Sequence, residues 1–148
     1  MEKTQKTIVT GVIGSDTHIV GNRILSMALE KSGYKVVALG ALTPGLDFVK
    51  AAIETNADAI LVSSLYGQGE LDCRGFRDLC VEAGLDNMLL YVGGNLIVGK
   101  HPWPEIEKIF LDMGFDRVAA PGTRVETVLE WLERDFAARV RGLHRAQD

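Results

Sequence analysis

The sequence predicts a doubly wound α/β domain, in which helices cover both faces of one parallel sheet. Its 148 residues correspond to one domain at roughly 150 residues per domain. Short runs rich in β-forming residues recur with starts roughly 24 to 29 residues apart, which is the length of a βα unit. The segments between these runs carry an apolar stripe at helical spacing. Strands therefore alternate with helices along the whole chain.

Five runs are predicted as strands. Residues 60–62 and 89–92 are apolar on both faces, which is typical of parallel strands buried between two helix layers. The predicted strands are residues 7–14, 35–41, 59–64, 88–93 and 117–120.

Five amphipathic helices are predicted between and after the strands. The first two have looser apolar stripes than the last three, which follow an i, i+3, i+4, i+7 pattern. Pro44 favours a helix start before the second stripe. In chain order the stripes are Ile24, Leu25, Ala28 and Leu29; Leu46, Val49 and Ile53; Phe76, Leu79, Cys80 and Ala83; Ile106, Ile109, Phe110 and Met113; and Val125, Val128, Leu129 and Leu132.

Right-handed crossovers leave few topologies for such a chain, and they favour the flavodoxin-like strand order 2-1-3-4-5. Ligands of these sheets bind outside the carboxyl ends of the strands, where the strand order reverses. We expect one domain over residues 1–137, followed by a solvated, arginine-rich tail over residues 138–148.

Composition narrows the function classes. Hydrophobic residues make up 47% and charged residues 24% of the chain, as in a globular domain. The net charge of -4 has the wrong sign for binding nucleic-acid phosphates. The longest apolar runs, such as residues 87–94, are far shorter than the ~20 residues that cross a bilayer, and the start has no signal-peptide core. A cytoplasmic protein with neither nucleic-acid nor membrane partners is therefore expected.

The two cysteines, Cys73 and Cys80, are predicted to be reduced core residues. Seven positions on one helix would separate them by about 10.5 Å, too far for a disulfide. Their spacing also lacks the pattern of a zinc site.

Glycines concentrate in the loops that follow the predicted strands. Glycine lets a backbone approach a ligand closely, although turn chemistry alone explains any single one. The sequence has no Gly-x-Gly-x-x-Gly or Gly-Lys-Ser/Thr phosphate motif after a strand, which argues against nicotinamide and nucleoside-triphosphate binding. Eight of the sixteen glycines lie at or beside this edge: Gly14, Gly21, Gly67, Gly69, Gly93, Gly94, Gly99 and Gly122.

Asp16 and His18 form the most informative pair in these loops. A neutral imidazole is a good transition-metal ligand, and a carboxylate on its other nitrogen fixes the tautomer. One histidine cannot hold a free metal ion, but it can be the axial ligand of a metal inside a macrocycle. Alternatively, Asp16 or Asn22 caps the following helix and His18 is an exposed loop residue.

These residues resemble a known family. Asp16-x-His18-x-x-Gly21, then Ser63-x-Leu65 and then Gly93-Gly94 look like the three-part signature of base-off, histidine-on cobalamin-binding domains. Residues 64–70, 91–95, 116–118 and 121–123 further resemble the small (sigma) subunits of glutamate mutase, also called methylaspartate mutase. This likeness runs from about residue 7 to residue 132.

The resemblance implies adenosylcobalamin as the cofactor and His18 as the lower axial ligand of cobalt, in place of the cofactor's own dimethylbenzimidazole. Asp16 would hold His18, Gly21 would let the nucleotide tail pass, and Ser63 would hydrogen-bond the displaced base. Leu65, Gly93 and Gly94 would shape a slot for that base. The other implied contacts are Ser15, Thr17, Ile19, Ser64, Asn95, Leu96, Ile97, Val98 and Gly99.

The implied reaction is the radical rearrangement of L-glutamate to threo-3-methylaspartate, an isomerase reaction shared with a separate large (epsilon) subunit in an assembly of two small and two large chains. A substrate with two carboxylates is best bound by several arginine side chains that converge on one site. The candidate loops supply only Arg23, Arg74 and Arg124, on three different predicted helices that face solvent. The substrate is therefore expected to bind mainly to the partner.

Two other classes of protein share part of this pattern. A stand-alone corrinoid carrier of a methyltransferase system has the same signature, but usually with an N-terminal helical cap that a strand starting at residue 7 leaves no room for. In a receiver-like signalling domain, Asp16 would belong to an acidic phosphorylation pocket. Such a domain has a lysine after the fifth strand, where this chain has Pro121 and Gly122.

Overall fold

The structure is a computed structural model that describes residues 5–13, 20–40, 43–64, 73–85, 87–94, 102–120 and 122–140, with backbone only at 20–22, 64, 94 and 140. The strands are β1 (Thr7–Val12), β2 (Lys35–Ala38), β3 (Ala59–Ser64), β4 (Leu89–Gly94) and β5 (Arg117–Ala119). The helices are α1 (Val20–Lys31), α2 (Gly45–Thr55), α3 (Phe76–Glu82), α4 (Trp103–Asp112) and α5 (Val125–Val140).

The sheet has the order β2-β1-β3-β4-β5, and all four strand pairs are parallel. Both the fold class and the strand order are thus confirmed. The ends differ slightly from the predicted ones: β1 ends at Val12 rather than at residue 14, β4 begins and ends one residue later, and β5 ends one residue earlier. β2 stops at Ala38 because Gly40 has a φ of +85°, which an extended strand cannot contain.

Two hydrophobic clusters cover the two faces of the sheet. The first cluster lies on the side of the sheet that α1 and α5 cover, which we call the α1/α5 face. There, Leu29 of α1 and Leu132 and Phe136 of α5 pack against the inner strands. The opposite face packs against α2, α3 and α4, with Phe48 and Phe110 among its fully buried residues. Burial on both faces explains the continuous apolar runs in β3 and β4.

The predicted apolar stripes were only partly right. In the third, Ala83 lies past the end of α3 and is exposed. The stripes of the first two helices differ more. Leu29 and Val49 are buried, but Ile24, Leu46 and Ile53 are 54%, 49% and 52% exposed. On α1 the inward stripe runs through Ser26 and Leu29, and because each helical residue turns about 100° the preceding Ile24 faces solvent.

Cys73 and Cys80 are both buried thiols, as predicted. They do not share one continuous helix, however, because Gly75 lies between them with a φ of +79° at the N-cap of α3. The helical distance used in the prediction therefore does not apply.

α5 continues to Val140, three residues past the predicted domain boundary. Phe136, at 8% exposure, belongs to the core of the α1/α5 face. Residues 141–148 lie outside the described part of the chain. None of the described helices combines the length and apolarity needed to cross a membrane.

Candidate functional site

Parallel pairing brings the carboxyl ends of β1, β3, β4 and β5 to one edge of the sheet. Val12 pairs with Ser63, Ser63 with Gly93, and Gly93 with Ala119. Two predicted site residues, Ser63 and Gly93, are therefore direct neighbours on adjacent central strands. The next pair along the same strands is Ser64 and Gly94.

Ser63, Gly93 and Ala119 face the helices α1 and α5. Side chains on a strand alternate between faces, so Ser63 shares the face of Leu61, and Gly93 that of Tyr91. Leu61 and Tyr91 both belong to the hydrophobic cluster of the α1/α5 face.

In register, Val12, Ser63, Gly93 and Ala119 form one row across β1, β3, β4 and β5. We call Ser63, Gly93 and Ala119 the small row, because Val12 is larger and fully buried. The residues two positions before these four, Thr10, Leu61, Tyr91 and Arg117, are the floor row. All three members of the small row are half-buried. By contrast, the floor-row residues Thr10, Leu61 and Tyr91 are 0%, 3% and 4% exposed. On β3, β4 and β5 the carboxyl end of the sheet thus has a strip without large side chains on the face of α1 and α5. The buried Val12 borders this strip on β1, and Leu61, Tyr91 and Arg117 border it below.

Gly93 cannot be replaced by a larger residue without moving β5. A Cβ atom built on Gly93 would lie 3.0 Å from the Cβ atom of Ala119, closer than side-chain carbons normally approach. Glycine is therefore required both by the spacing of β4 and β5 and by the flatness of the strip.

On the α5 side, the floor row contains a polar cluster that the sequence analysis missed. The Tyr91 hydroxyl donates to Asp135 Oδ2. Arg117 donates from Nε to Oδ2 and from Nη2 to Oδ1 of Asp135, each at 2.9 Å. The indole ring of Trp131 lies 5.3 Å from the Arg117 guanidinium and packs edge-on to Tyr91, with ring centroids 6.0 Å apart.

The contacts in this cluster raise the pKa of Tyr91 and lower the pKa of Asp135. Burial is the main cause of the raised pKa of Tyr91, and the hydrogen bond to Asp135 adds to it. Burial opposes the charge on Asp135, but the hydrogen bonds from Arg117 and Tyr91 outweigh it and lower the pKa of that carboxyl. Near neutral pH the cluster is a neutral tyrosine bound to an ion pair.

No motif in the sequence marks the cluster, because Arg117 and Asp135 are 18 residues apart. The available signal was weak: Trp131 and Asp135 are separated by four residues on one helix, so they lie on the same face.

On the α1 side, the floor row ends in a pair of buried hydroxyls. Thr10 Oγ1 and Ser26 Oγ lie 3.0 Å apart, joining β1 to α1. Both ends of the floor row are thus tied to the helices that flank the strip.

The structure describes only part of the predicted site. Ser63 and Gly93 lie in the small row, Ser64 and Gly94 end their strands, and Gly21 is the second residue of α1. Eleven predicted contacts lie outside the described residues: Ser15, Asp16, Thr17, His18, Ile19, Leu65, Asn95, Leu96, Ile97, Val98 and Gly99.

The alternative role for Asn22 is wrong, because α1 begins at Val20 and Asn22 is its third residue rather than its cap. Arg23, Arg74 and Arg124 are exposed, as expected. Only Arg23 lies within a helix, however, since Arg74 and Arg124 precede α3 and α5.

The fold, its carboxyl-edge strip and the chain's sequence define a cobalamin-binding domain. Residues 6–130 match the family described as "B12 binding domain", and this chain belongs to that family.

Within it, the chain belongs to the glutamate mutase sigma subunits. It is 62% identical to the glutamate mutase sigma subunit of Clostridium tetani, over 92% of this chain and 98% of that protein. The same identity and coverage hold for the sigma subunit of Clostridium cochlearium. The sigma subunit of Escherichia coli O157:H7 is 48% identical, over 90% of this chain and 89% of its own length.

Solved structures support the fold. A cobalamin-binding protein from Desulfitobacterium hafniense superposes with a TM-score of 0.71 at 22% identity, and the match covers 87% of this chain and 58% of that one. The receiver domain of the response regulator NarL from Mycobacterium tuberculosis reaches 0.59 at 17% identity, covering 87% of this chain and 97% of the domain. These likenesses are of fold alone, and the receiver-like alternative shares no more than that.

Proposed function

We propose that this chain is the cobalamin-binding subunit of an adenosylcobalamin-dependent glutamate mutase. The observation that carries the proposal is the small row, a strip of short, half-buried residues at the carboxyl edge of a B12-binding domain. Its relatives at 48 to 62% identity are sigma subunits. This favours the mutase over a stand-alone corrinoid carrier, since the monomethylamine corrinoid protein of Methanosarcina barkeri is only 21% identical.

The small row fits the lower base of a cobalamin. A planar aromatic base needs a flat, largely apolar strip of sheet, and Gly93 and Ala119 provide one. A Cβ atom on Gly93 would occupy that strip. The hydroxyl of the half-buried Ser63 can donate to or accept from a ring nitrogen.

The residues proposed to hold the cofactor surround this strip. His18 would ligate cobalt from the lower side and Asp16 would orient its imidazole. Gly21 would let the nucleotide tail pass the start of α1. Gly93, with Gly94 and Leu65, would flank the base. When bound, adenosylcobalamin supplies the radical that starts the carbon-skeleton rearrangement.

The substrate is proposed to bind mainly to a separate large (epsilon) subunit, in an assembly of two small and two large chains in the cytoplasm. Binding of a dicarboxylate calls for converging cations. Arg23, Arg74 and Arg124 are exposed and belong to three different parts of the fold: Arg23 lies in α1, and the other two precede α3 and α5. The Arg124 side chain is 80% exposed and lies 3.6 Å from Glu126.

The decisive experiment tests His18 as the cobalt ligand. Electron paramagnetic resonance of the Co(II) form should show nitrogen splitting that changes when histidine carries nitrogen-15. The chain has three histidines, so His18→Asn should abolish the change, while His101→Asn serves as the matched control and should retain it. Splitting that follows label in the benzimidazole would overturn the proposal.

A second experiment tests the two-subunit arrangement. Radical chemistry needs a site closed to water, so the large subunit should cover the reactive side of the cofactor. Cofactor affinity should then rise with the concentration of the large subunit, because the two binding events are coupled. Turnover of glutamate by the isolated small chain would contradict this arrangement.

A further inference from the structure

Tyr91 occupies the position directly below the proposed base strip. It precedes Gly93 by two residues on the same face of β4, a separation of about 6.6 Å along the strand. Its neighbours in the floor row are Leu61 on β3 and Arg117 on β5. A planar group lying on Gly93 and pointing down the sheet would therefore meet the Tyr91 ring first.

The ring of Tyr91 is held in one orientation. Its hydroxyl donates a hydrogen bond to Asp135. Arg117 donates two further hydrogen bonds, each of 2.9 Å, to the same carboxylate. Trp131 packs against the ring at an interplanar angle of 89°. The Tyr91 side chain is also buried, at 4% exposure. A side chain held by these contacts presents its ring at a fixed position to any group that lies on Gly93.

The two sides of the floor row differ in size. On the α1 side it has only the short side chain of Thr10, bonded to Ser26. On the α5 side it has a tyrosine braced by α5, directly beneath the glycine. The depth of the strip below Gly93 is therefore set by Tyr91.

We propose that Tyr91, braced by Asp135 and Arg117, closes the lower end of the base slot and determines how long a lower base the cofactor can carry. This inference rests on the proposed function, because it requires the base to lie on the small row. Tyr91 acts as a specificity-determining residue through its ring, and Asp135 and Arg117 act as positioning residues.

The first test compares three corrinoids by visible titration: cobalamin, an analogue whose lower base has one more fused ring, and cobinamide, which has no base. Tyr91→Leu should weaken cobalamin binding and shift the preference toward the longer base by about tenfold, because the ring that limits the slot is removed. Tyr91→Phe keeps the ring and should keep the wild-type preference. Affinity for cobinamide should stay within about twofold in both variants.

The second test needs no substitution in the protein that is measured. With carbon-13-labelled tyrosine, the Tyr91 ring resonances should move on binding diamagnetic Co(III) cobalamin, through the ring current of the base, and should stay unchanged with cobinamide. The chain has three tyrosines, and Tyr34→Phe and Tyr66→Phe spectra assign the third.

The outcomes separate the two proposals. If cobalamin binds with His18 on cobalt but the Tyr91 resonances do not move, or if the Tyr91→Leu preference equals that of the wild type, the role of Tyr91 is wrong and the proposed function stands. If the wild-type chain binds neither cobalamin nor cobinamide, in the presence or absence of the large subunit, both are wrong.

Discussion

Two arginine–aspartate pairs, built on adjacent residues, bind opposite faces of the sheet. Asp116 pairs with Arg77 on the face of α3, with 3.1 Å between Nη2 and Oδ2. Arg117, the next residue, pairs with Asp135 of α5 on the other face. Successive residues of a strand point to opposite faces, so the start of β5 is clamped from both sides.

The two pairs differ in what else they hold. Arg77 also donates to the carbonyls of Gly114 and Met88, each at 2.9 Å, and Asp116 also accepts from the backbone of Leu90. This first clamp therefore fixes the backbone where β4 and β5 begin. The second clamp instead contacts two aromatic side chains: Tyr91, two residues before Gly93 on β4, and Trp131 of α5.

The two pairs therefore have different roles, one in stability alone and the other also in the proposed ligand recognition. The Arg77 clamp is the more buried, with side chains 9% and 7% exposed, against 31% and 20% for Arg117 and Asp135. It lies at the amino ends of the strands, the opposite edge from the proposed site. Substitutions that break the Arg77–Asp116 pair should therefore lower the stability of the fold alone. Substitutions that break the Arg117–Asp135 pair should change both the stability and the preference for the lower base of the cofactor.

The largest expected effect is that of Arg77→Ala. It would leave the buried Asp116 without the guanidinium, and breaking a buried pair costs about 3 to 5 kcal/mol. Urea unfolding measures this loss. Lys108→Ala is the matched control, since the Lys108–Asp112 pair is exposed and should contribute less than about 1 kcal/mol. A loss below 1 kcal/mol for Arg77→Ala would show that the clamp is not a main stabilising element.

Asp135→Asn should have the next largest effect, about 1.5 to 3 kcal/mol near neutral pH, because charge-assisted hydrogen bonds are lost. The lowered pKa of Asp135 fixes the sign of the pH dependence. Its contribution is complete above the usual aspartate pKa of about 3.9 and is lost as pH falls through the lower, folded value.

Urea midpoints measured from pH 7 down to pH 3 test this sign. The difference between wild type and Asp135→Asn should shrink as the solution is acidified. A difference that stays constant or grows below about pH 4 would contradict the lowered pKa.

The architecture could be predicted from the sequence because three independent patterns indicated the same fold. Strand spacing, two-sided apolar runs and helical stripes all indicated one doubly wound sheet, and the structure has it. The sequence also placed Ser63 and Gly93 at the correct edge, because parallel strands end at the same side. The roles of all the proposed site residues, including Ser63, Gly93 and His18, stay predictions.

The floor row could not be predicted in the same way. Tyr91 alternates normally on an apolar strand, and its partners come from β5 and α5, 26 and 44 residues further along the chain. Such contacts depend on the relative placement of three elements, which no local pattern encodes. The exposed positions Ile24 and Ile53 were misjudged for a similar reason: hydrophobicity alone does not fix the rotation of a helix with a broad apolar stripe.

Gly93→Ala should combine a moderate loss of stability with a loss of cofactor binding. The new Cβ atom would approach that of Ala119 to 3.0 Å, and such overpacking costs about 1 to 3 kcal/mol. The double variant Gly93→Ala, Ala119→Gly removes the contact and should recover the unfolding free energy, but not the cobalamin affinity, because the methyl group still occupies the strip. Recovery of both would show that Gly93 matters for strand spacing only.

The smallest expected effect is that of Ser63→Ala. If the hydroxyl bonds the lower base, its loss should weaken cobalamin binding by about 1 kcal/mol, roughly fivefold, which is the scale of one neutral hydrogen bond. Ser26→Ala is the matched control: it removes a hydroxyl from the buried Thr10 pair, beside the floor row, and should lower the unfolding free energy by a similar amount without changing affinity. Cobinamide has no base and should bind Ser63→Ala as it binds the wild type. Equal weakening for cobalamin and cobinamide would place the role of Ser63 at the corrin ring or in the fold, and would remove it from the base slot.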